Sequence, residues 1–175
     1  MITIVLTNRN REQHIIEKCL ISLNNQTNKG FQCIIVDYGS RPDKVKDLEK
    51  ITSQHIHYKV INCKTSKQLW NKSRAINIVL KQCSTPYFFV GDIDMIYHPE
   101  FVERLYSLKK EEQSVYFQVG FLGESESKKN KTFFDFDFSF KSTKEATGMT
   151  LYKTEELRSI NGYDEFYNGW GSEDT

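Results

Sequence analysis

Proline is scarce in this chain: three residues in 175, at Pro42, Pro86 and Pro99. No proline- or glycine-rich tract, repeat or low-complexity stretch reads as a linker. The length suits one domain with a proper core. Neither charge sign dominates, with 24 Lys and Arg against 23 Asp and Glu. That balance removes the electrostatic footprint expected of a nucleic-acid binder or an acidic-membrane binder. The densest basic run, Lys128-Lys129 with Lys131, follows Glu124 and Glu126 and reads as a solvated loop. Cysteines number four (Cys19, Cys33, Cys63 and Cys83), with no C-x-x-C pair and no histidine at metal spacing. Cys19 and Cys83 fall on apolar faces of expected helices, and Cys33 and Cys63 lie in or beside expected strands. They read as small buried hydrophobes in a reducing cytosol. No apolar run approaches the roughly 18 residues of a membrane span, and no basic leader precedes the first strand. The expectation is a soluble, cytoplasmic protein with no transmembrane segment.

What is present alternates. Met1 to Thr7 is a β-branched apolar run, read as a buried strand. Asn10 is then placed as the N-cap of a helix, with Gln13 at the capping-box position. Ile15, Ile16, Cys19, Leu20 and Leu23 carry that helix to about Asn24. Beyond Gly30 a second strand spans Phe31 to Val36, and Pro42 to about Ser53 is a weaker helix. Tyr58 to Asn62 is a third strand. Leu69, Ile76, Val79, Leu80 and Cys83 mark one face of a third helix, broken at Pro86. Tyr87 to Val90 is a fourth buried strand. Pro99 is expected in the first turn of a further helix. Ser114 to Phe121 reads as one strand, and Phe134, Phe136, Phe138 and Phe140 alternate as a half-buried strand would. Met149 to Tyr152 is a last short strand, after which Thr154 caps a brief helix stopped at Asn161-Gly162. Strands alternating with helices predict a parallel, right-handed α/β sheet.

Open α/β sheets hold ligands outside the carboxyl ends of their strands. Three polar strand tails, Thr7-Asn8-Arg9, Asp37-Tyr38-Gly39 and Gly91-Asp92-Ile93-Asp94, should therefore meet at one site. Asp92 and Asp94 flank a single residue, so an extended backbone projects both carboxylates to one side. Two hard oxygen ligands suit Mg²⁺ or Mn²⁺ shared with phosphate oxygens. A second D-x-D, Asp135-Phe136-Asp137, sits in the alternating stretch and reads as its wet side. Arg9 and Arg11 stand near a helix start, where they either grip a diphosphate or base edge or are plain surface cations. Arg74 and Asn77 lie one helical turn apart and are ambiguous alone. Asp37 either accepts from a uracil imide or caps the following loop. Trp170, between Gly169 and Gly171, is suited to lay an indole face on a sugar ring. Of Glu173 and Asp174, one can cap a helix start and the other is free as a base. His14, His55, His57 and His98 lack a mutual metal spacing. Aromatics at 13% suit a carbohydrate site and an ordinary core alike.

Five segments carry a family resemblance: T-N-R-N-R-E-Q-H (7–14), V-D-Y-G-S (36–40), W-N-K-S-R-A-I-N (70–77), G-D-I-D-M-I (91–96), and T-G-M-T-L-Y-K…I-N-G-Y-D-E-F…G-W-G-S-E-D (147–174). In this order, over essentially the whole chain, they resemble family-two-type glycosyltransferases of the GT-A fold, nearest to galactosyltransferase-like members. The resemblance implies an α/β, Rossmann-like three-layer sandwich with a mainly parallel central sheet. It implies that Thr7, Arg9, Arg11 and Asp37 line a nucleotide pocket, Asp37 on the uracil, with Arg74 near the diphosphate and Asn77 beside it. Asp94 would ligate Mn²⁺ or Mg²⁺, and Asp92 the ribose or the metal's water shell. Gly148 would allow close approach of the donor sugar. Trp170 and Gly171 would shape the donor–acceptor junction, Glu173 would orient a sugar hydroxyl, and Asp174 would be the catalytic base.

The implied activity is metal-dependent, inverting transfer of a hexose, galactose or N-acetylgalactosamine favoured, from a UDP-sugar to a saccharide hydroxyl. The implied setting is bacterial surface polysaccharide synthesis, in the cytoplasm or peripheral at the inner membrane face. There are two departures. Thr7 and Asn8 replace a proline-aromatic pair often found after the first strand, and nothing after Asp174 supplies a further metal ligand or acceptor-binding segments. The expected organisation is one GT-A catalytic domain over 1–175, truncated at its C-terminus, with 1–97 as nucleotide half and 98–175 as acceptor half. Two rivals stand beside it. One is a non-catalytic or incomplete nucleotide-sugar-binding fragment. The other is a sugar-1-phosphate nucleotidyltransferase, which would carry a glycine-rich loop absent from Thr7 to Gln13. Oligomeric state is left open.

Overall fold

The computed structural model describes residues 1–53, 57–108, 115–141 and 146–169. Its centre is β1 (Ile2–Asn8), buried at every position. Such a strand must be covered on both faces, as its unbroken apolar run demands. β1 pairs in parallel with β2 (Phe31–Asp37) on one side and β4 (Tyr87–Asp92) on the other; β2 pairs in parallel with β3 (Tyr58–Asn62). β8 (Ala146–Lys153) runs antiparallel to β4, and β5 (Val115–Phe117) antiparallel to β8. The resulting order is β3-β2-β1-β4-β8-β5, a mainly parallel sheet as expected.

Alternate side chains of each strand point to opposite faces, and two cores follow. Ile2, Ile4, Leu6 and Phe89 pack against Ile16, Leu20 and Leu23 of α1 (Gln13–Asn24), Leu48 and Ile51 of α2 (Pro42–Thr52), and Val102 and Leu105 of α4 (Phe101–Leu108). On the other face Val5, Val36, Phe88 and Val90 pack against Ala75, Ile76, Val79 and Leu80 of α3 (Lys72–Gln82) and Leu157 of α6 (Thr154–Ser159). The layers are therefore helix, sheet, helix. The chain winds outward through β2 and β3 with α1 and α2 on one face. It then returns by α3 on the other face to β4, so the order reverses between β1 and β4. Cys19, Cys33 and Cys83 are buried and Cys63 is half-buried; all four are free thiols.

Several local expectations give way to tertiary bonds. Asn10 does not cap α1, whose N-cap is Glu12 with no side-chain bond. Its backbone is left-handed (φ 56°) and its Oδ1 accepts from Arg41 N at 2.8 Å, so it joins two loops instead. Leu69 is 71% exposed, because α3 begins only at Lys72, where Asn71 Oδ1 accepts from Arg74 N at 2.7 Å. Pro99 precedes α4, its carbonyl accepting from Thr27 N. The Thr154 hydroxyl donates to Thr85 O at 2.6 Å rather than capping its own helix.

The strand expected over Ser114 to Phe121 is two strands in two sheets. β5 joins the main sheet, and β6 (Gly120–Leu122) pairs with β7 (Phe138–Lys141) after the chain turns at buried Val119. Ser114 itself lies outside the described residues. Between them come the short α5 (Glu124–Ser127) and, where phenylalanines alternate, a 3-10 turn at Phe133–Asp135. Buried Glu126 explains the turn: its Oε1 accepts from Asp137 N at 3.1 Å, while Thr132 Oγ1 donates to Asp135 Oδ2 at 2.6 Å. Side-chain bonds of this kind outcompete a strand ladder. No helix among the described residues is long and apolar enough to cross a membrane.

Candidate active site at the switch point

Crevices form in doubly wound sheets where strand order reverses, and here that point lies at the carboxyl ends of β1 and β4. The register sets Thr7 opposite Asp92 and Asn8 opposite Asp37, so the three polar tails do converge. A cleft of about 130 Å³ opens there, lined by Thr7, Arg9, Arg11, Trp70, Lys72, Asp92, Ile93 and Asp94. Five of these eight were expected from the sequence. Trp70, Lys72 and Ile93 were missed, although Trp70 and Lys72 stand inside the W-N-K-S-R segment; helical spacing had drawn attention to Arg74 and Asn77 on a different face.

Two ion pairs dominate the cleft. Arg11 Nη2 lies 2.7 Å from Asp94 Oδ2, and Lys72 Nζ lies 3.0 Å from Asp92 Oδ1. Burial pushes the Asp92 carboxyl above its ordinary value, and the charge and hydrogen bond of Lys72 pull it back. The loop that presents the acids is fastened from below, where the Tyr97 hydroxyl donates to Asp92 O at 3.1 Å. Gly91 makes room for it: a Cβ there would collide with the Tyr97 hydroxyl and the Phe89 ring. Arg9 reaches across the rim, its Nη2 donating to Gln68 O at 2.9 Å.

Asp37 closes β2. It is fully buried, and its carboxylate accepts from Asn8 Nδ2 at 2.7 Å, Ser40 Oγ at 2.6 Å and Ser40 N at 3.0 Å. It locks the tails of β1 and β2 together and offers no exposed oxygen to a base. Of the two readings open from the sequence, the loop-holding one fits.

Arg74 and Asn77 do share a face, as their spacing required, but they meet Glu165 instead of the cleft. Arg74 Nε lies 3.1 Å from Glu165 Oε2, and Asn77 Nδ2 donates to Glu165 Oε1 at 3.0 Å. Asn77 also donates to Tyr163 O and accepts from Tyr163 N. Asn71 Nδ2 donates to Glu165 O at 2.9 Å and to Asn168 Oδ1 at 3.0 Å. Gly162 permits the approach: its φ is +77°, and a Cβ would collide with the Asn77 amide oxygen. Residues 160–169 thus form an arm clamped to α3. The last clamp is Gly169 N donating to Trp70 O at 2.6 Å, on a residue that lines the cleft. Trp170, Gly171, Glu173 and Asp174 follow at once and lie outside the described residues. Gly148 sits in β8 two residues from the Val90–Thr150 pair, on the side toward Asp92. It reaches the sheet's carboxyl edge without lining the cleft.

The donor set suits a hard divalent cation. Among the described residues no group of three His, Cys, Asp or Glu could cage a metal alone. Mg²⁺-type sites, however, commonly use one or two carboxylates and take remaining ligands from substrate phosphates and water. Asp92 and Asp94 supply that pair. Asp135 and Asp137, the other D-x-D, are exposed and bond to Thr132 and Lys131, clear of the cleft.

Layers, strand order and an acid pair at the switch point define the class: this is the GT-A fold. Solved structures that share it include S. aureus TarS 1-349, with 18% identity and a TM-score of 0.68 over 99% of this chain and 52% of that one. That protein in complex with UDP-GlcNAc matches at 19% identity and a TM-score of 0.68, over 99% of this chain and 50% of that one. Mannosyltransferase PcManGT from Pyrobaculum calidifontis, in complex with GDP-Man and Mn²⁺, matches at 15% identity and a TM-score of 0.64, over 99% and 49%. The chain spans about half the length of these structures. The family model of glycosyl transferase family 2 matches residues 3–162, and the chain belongs to that family. No curated protein matches it.

Proposed function

We propose that this chain is the donor-binding catalytic domain of an inverting glycosyltransferase that moves a hexose from a UDP-sugar to a saccharide hydroxyl. The observation that carries this reading is the cleft itself: two carboxylates and three cations meet at the switch point. Arg9, Arg11 and Lys72 would bind the nucleotide's diphosphate, with Thr7 beside them. Asp94 and Asp92 would hold Mn²⁺ or Mg²⁺, which supplies Lewis-acid stabilisation of charge on the departing diphosphate.

Asp174 would take the acceptor hydroxyl's proton as its oxygen attacks C1 from the face opposite UDP, with Glu173 orienting that hydroxyl. Trp170 and Gly171 would shape the junction, and Gly148 would admit the donor sugar. Neighbouring structures hold UDP-GlcNAc or GDP-Man, which supports a nucleotide-diphosphate sugar as donor. The N-G-Y-D-E…W-G-S-E-D ending tilts the choice to galactose or N-acetylgalactosamine. Surface polysaccharide synthesis at the inner face of a bacterial membrane fits that chemistry.

Asp174→Asn should abolish transfer and leave UDP binding intact; full activity in that variant would sink the assignment. The half-length match favours one second reading, a nucleotide-sugar-binding part of a larger enzyme. Calorimetry with UDP and Mn²⁺ beside a donor-hydrolysis assay separates the two, since binding without turnover favours the part. The nucleotidyltransferase alternative finds no glycine in the loop after β1, and the family match speaks against it.

A further inference from the structure

Both carboxylates of the acid pair are held by a cation across the cleft, Asp94 by Arg11 at 2.7 Å and Asp92 by Lys72 at 3.0 Å. The two cations come from different elements. Arg11 belongs to the loop after β1, and Lys72 to the first turn of α3. Arg11 and Asp94 are 38% and 33% exposed, and Asp92 is 36% exposed, while the Lys72 stem is largely covered at 11%. All four groups line one cleft, so an incoming ligand reaches both members of each pair.

We propose that Arg11 and Lys72 are exchange cations. They hold the acids while no donor is bound, then pass from carboxylate to diphosphate oxygens when the nucleotide arrives, which releases Asp92 and Asp94 for the divalent cation. This rests on the nucleotide-sugar reading above and assigns a role to Lys72, which the sequence had not singled out. The physical reason is charge balance. A divalent cation arriving alone must displace two positive side chains from their carboxylates. A diphosphate arriving alone must draw those side chains away from the acids and leave two carboxylates facing it. Together the ligands satisfy every charge: phosphate oxygens take the guanidinium and ammonium, and the carboxylates take the metal. Binding of each ligand therefore raises affinity for the other, beyond the direct metal–phosphate contact.

The test is calorimetry at pH 8 on the full chain with Mn²⁺ alone, UDP alone and both. Arg11→Met and Lys72→Met should each tighten Mn²⁺ alone by about threefold or more and weaken metal-free UDP by about tenfold. Asp94→Asn should act in the opposite sense, tightening metal-free UDP by a few-fold (about two to five) because it removes the carboxylate charge that competes for Arg11, while removing the Mn²⁺ enhancement. A purely structural role predicts no such opposed signs. Weaker binding of both ligands in either Met variant, or unchanged metal-free UDP affinity in Asp94→Asn, overturns the exchange. Melting curves identify any variant that fails to fold, and the Asp94→Asn arm then decides alone. Wild-type protein that binds neither UDP nor Mn²⁺ with UDP overturns the nucleotide-sugar reading itself, and the exchange with it.

Discussion

The two halves of this molecule are held together by different forces. From β1 to β4 the structure rests on burial: every residue of β1 is buried, and helices cover both faces of the sheet. From α4 onward the elements are shorter and the contacts more polar. The arm at 160–169 exposes Ile160 at 68%, Phe166 at 86% and Tyr167 at 46%, so little apolar burial holds it. Asn71, Arg74 and Asn77 hold it, through hydrogen bonds to Glu165, Tyr163 and Asn168. The cleft is thus a consequence of the core, whereas the arm hangs on one face of α3.

The largest expected effect breaks the first half. Leu6→Ala should cost about 2–5 kcal/mol and unfold cleft and arm together in one transition; a denaturant midpoint near wild type would contradict that. Asp94→Ala should leave the melting temperature nearly unchanged while cutting transfer by about 100-fold or more. Parallel loss of stability would mean that the acid pair is structural.

Asn77→Ala sharpens the contrast from the other side. It removes the arm's bonds to Glu165 and Tyr163 at a cost of about 1–3 kcal/mol. It should raise protease sensitivity within 160–169 and lower kcat, with UDP affinity unchanged. Loss of UDP affinity would show that the halves are not separable.

The smallest effect is acid release of the arm. The Asn77 amide holds the Glu165 carboxyl below its ordinary value of 4.5, burial opposes this, and Arg74 adds to it. A carboxyl lowered in the folded state stabilises fully above pH 4.5, and that contribution is lost as pH falls through the lowered value. Amide protection factors in 160–169, taken relative to the intrinsic rate at each pH, should accordingly fall below pH 4.5, ahead of global unfolding, and Glu165→Gln should flatten the response. Identical protection factors at pH 3 and pH 7 would remove Glu165 from the anchor.

Periodicity and β-branching revealed β1 to β4 and α1 to α3 because those elements are long and their burial is regular. The same logic failed in the second half. The phenylalanine alternation at 134–140 looked like one strand, yet only Phe138 onward is strand; before it the chain makes a turn at Phe133–Asp135, held by Glu126, eight residues before Phe134. Asp37 shows the limit at the site. Its position at a strand tip was readable, but its sequestration by Asn8 and Ser40 depends on which loops meet. Lys72 was passed over for a related reason: a lysine at a helix start is unremarkable until the fold sets it 3.0 Å from Asp92.

Residue order alone was enough for the α/β layering, the acid pair at the end of β4 and the family, since these rest on local pattern and on motifs contiguous in the chain. Which cation faces which acid, which acid is hidden, and what holds the arm all depend on contacts between residues 20 to 97 positions apart. Packing settles such contacts, because a charge or amide takes its partner from whatever the assembled sheet and helices bring within reach.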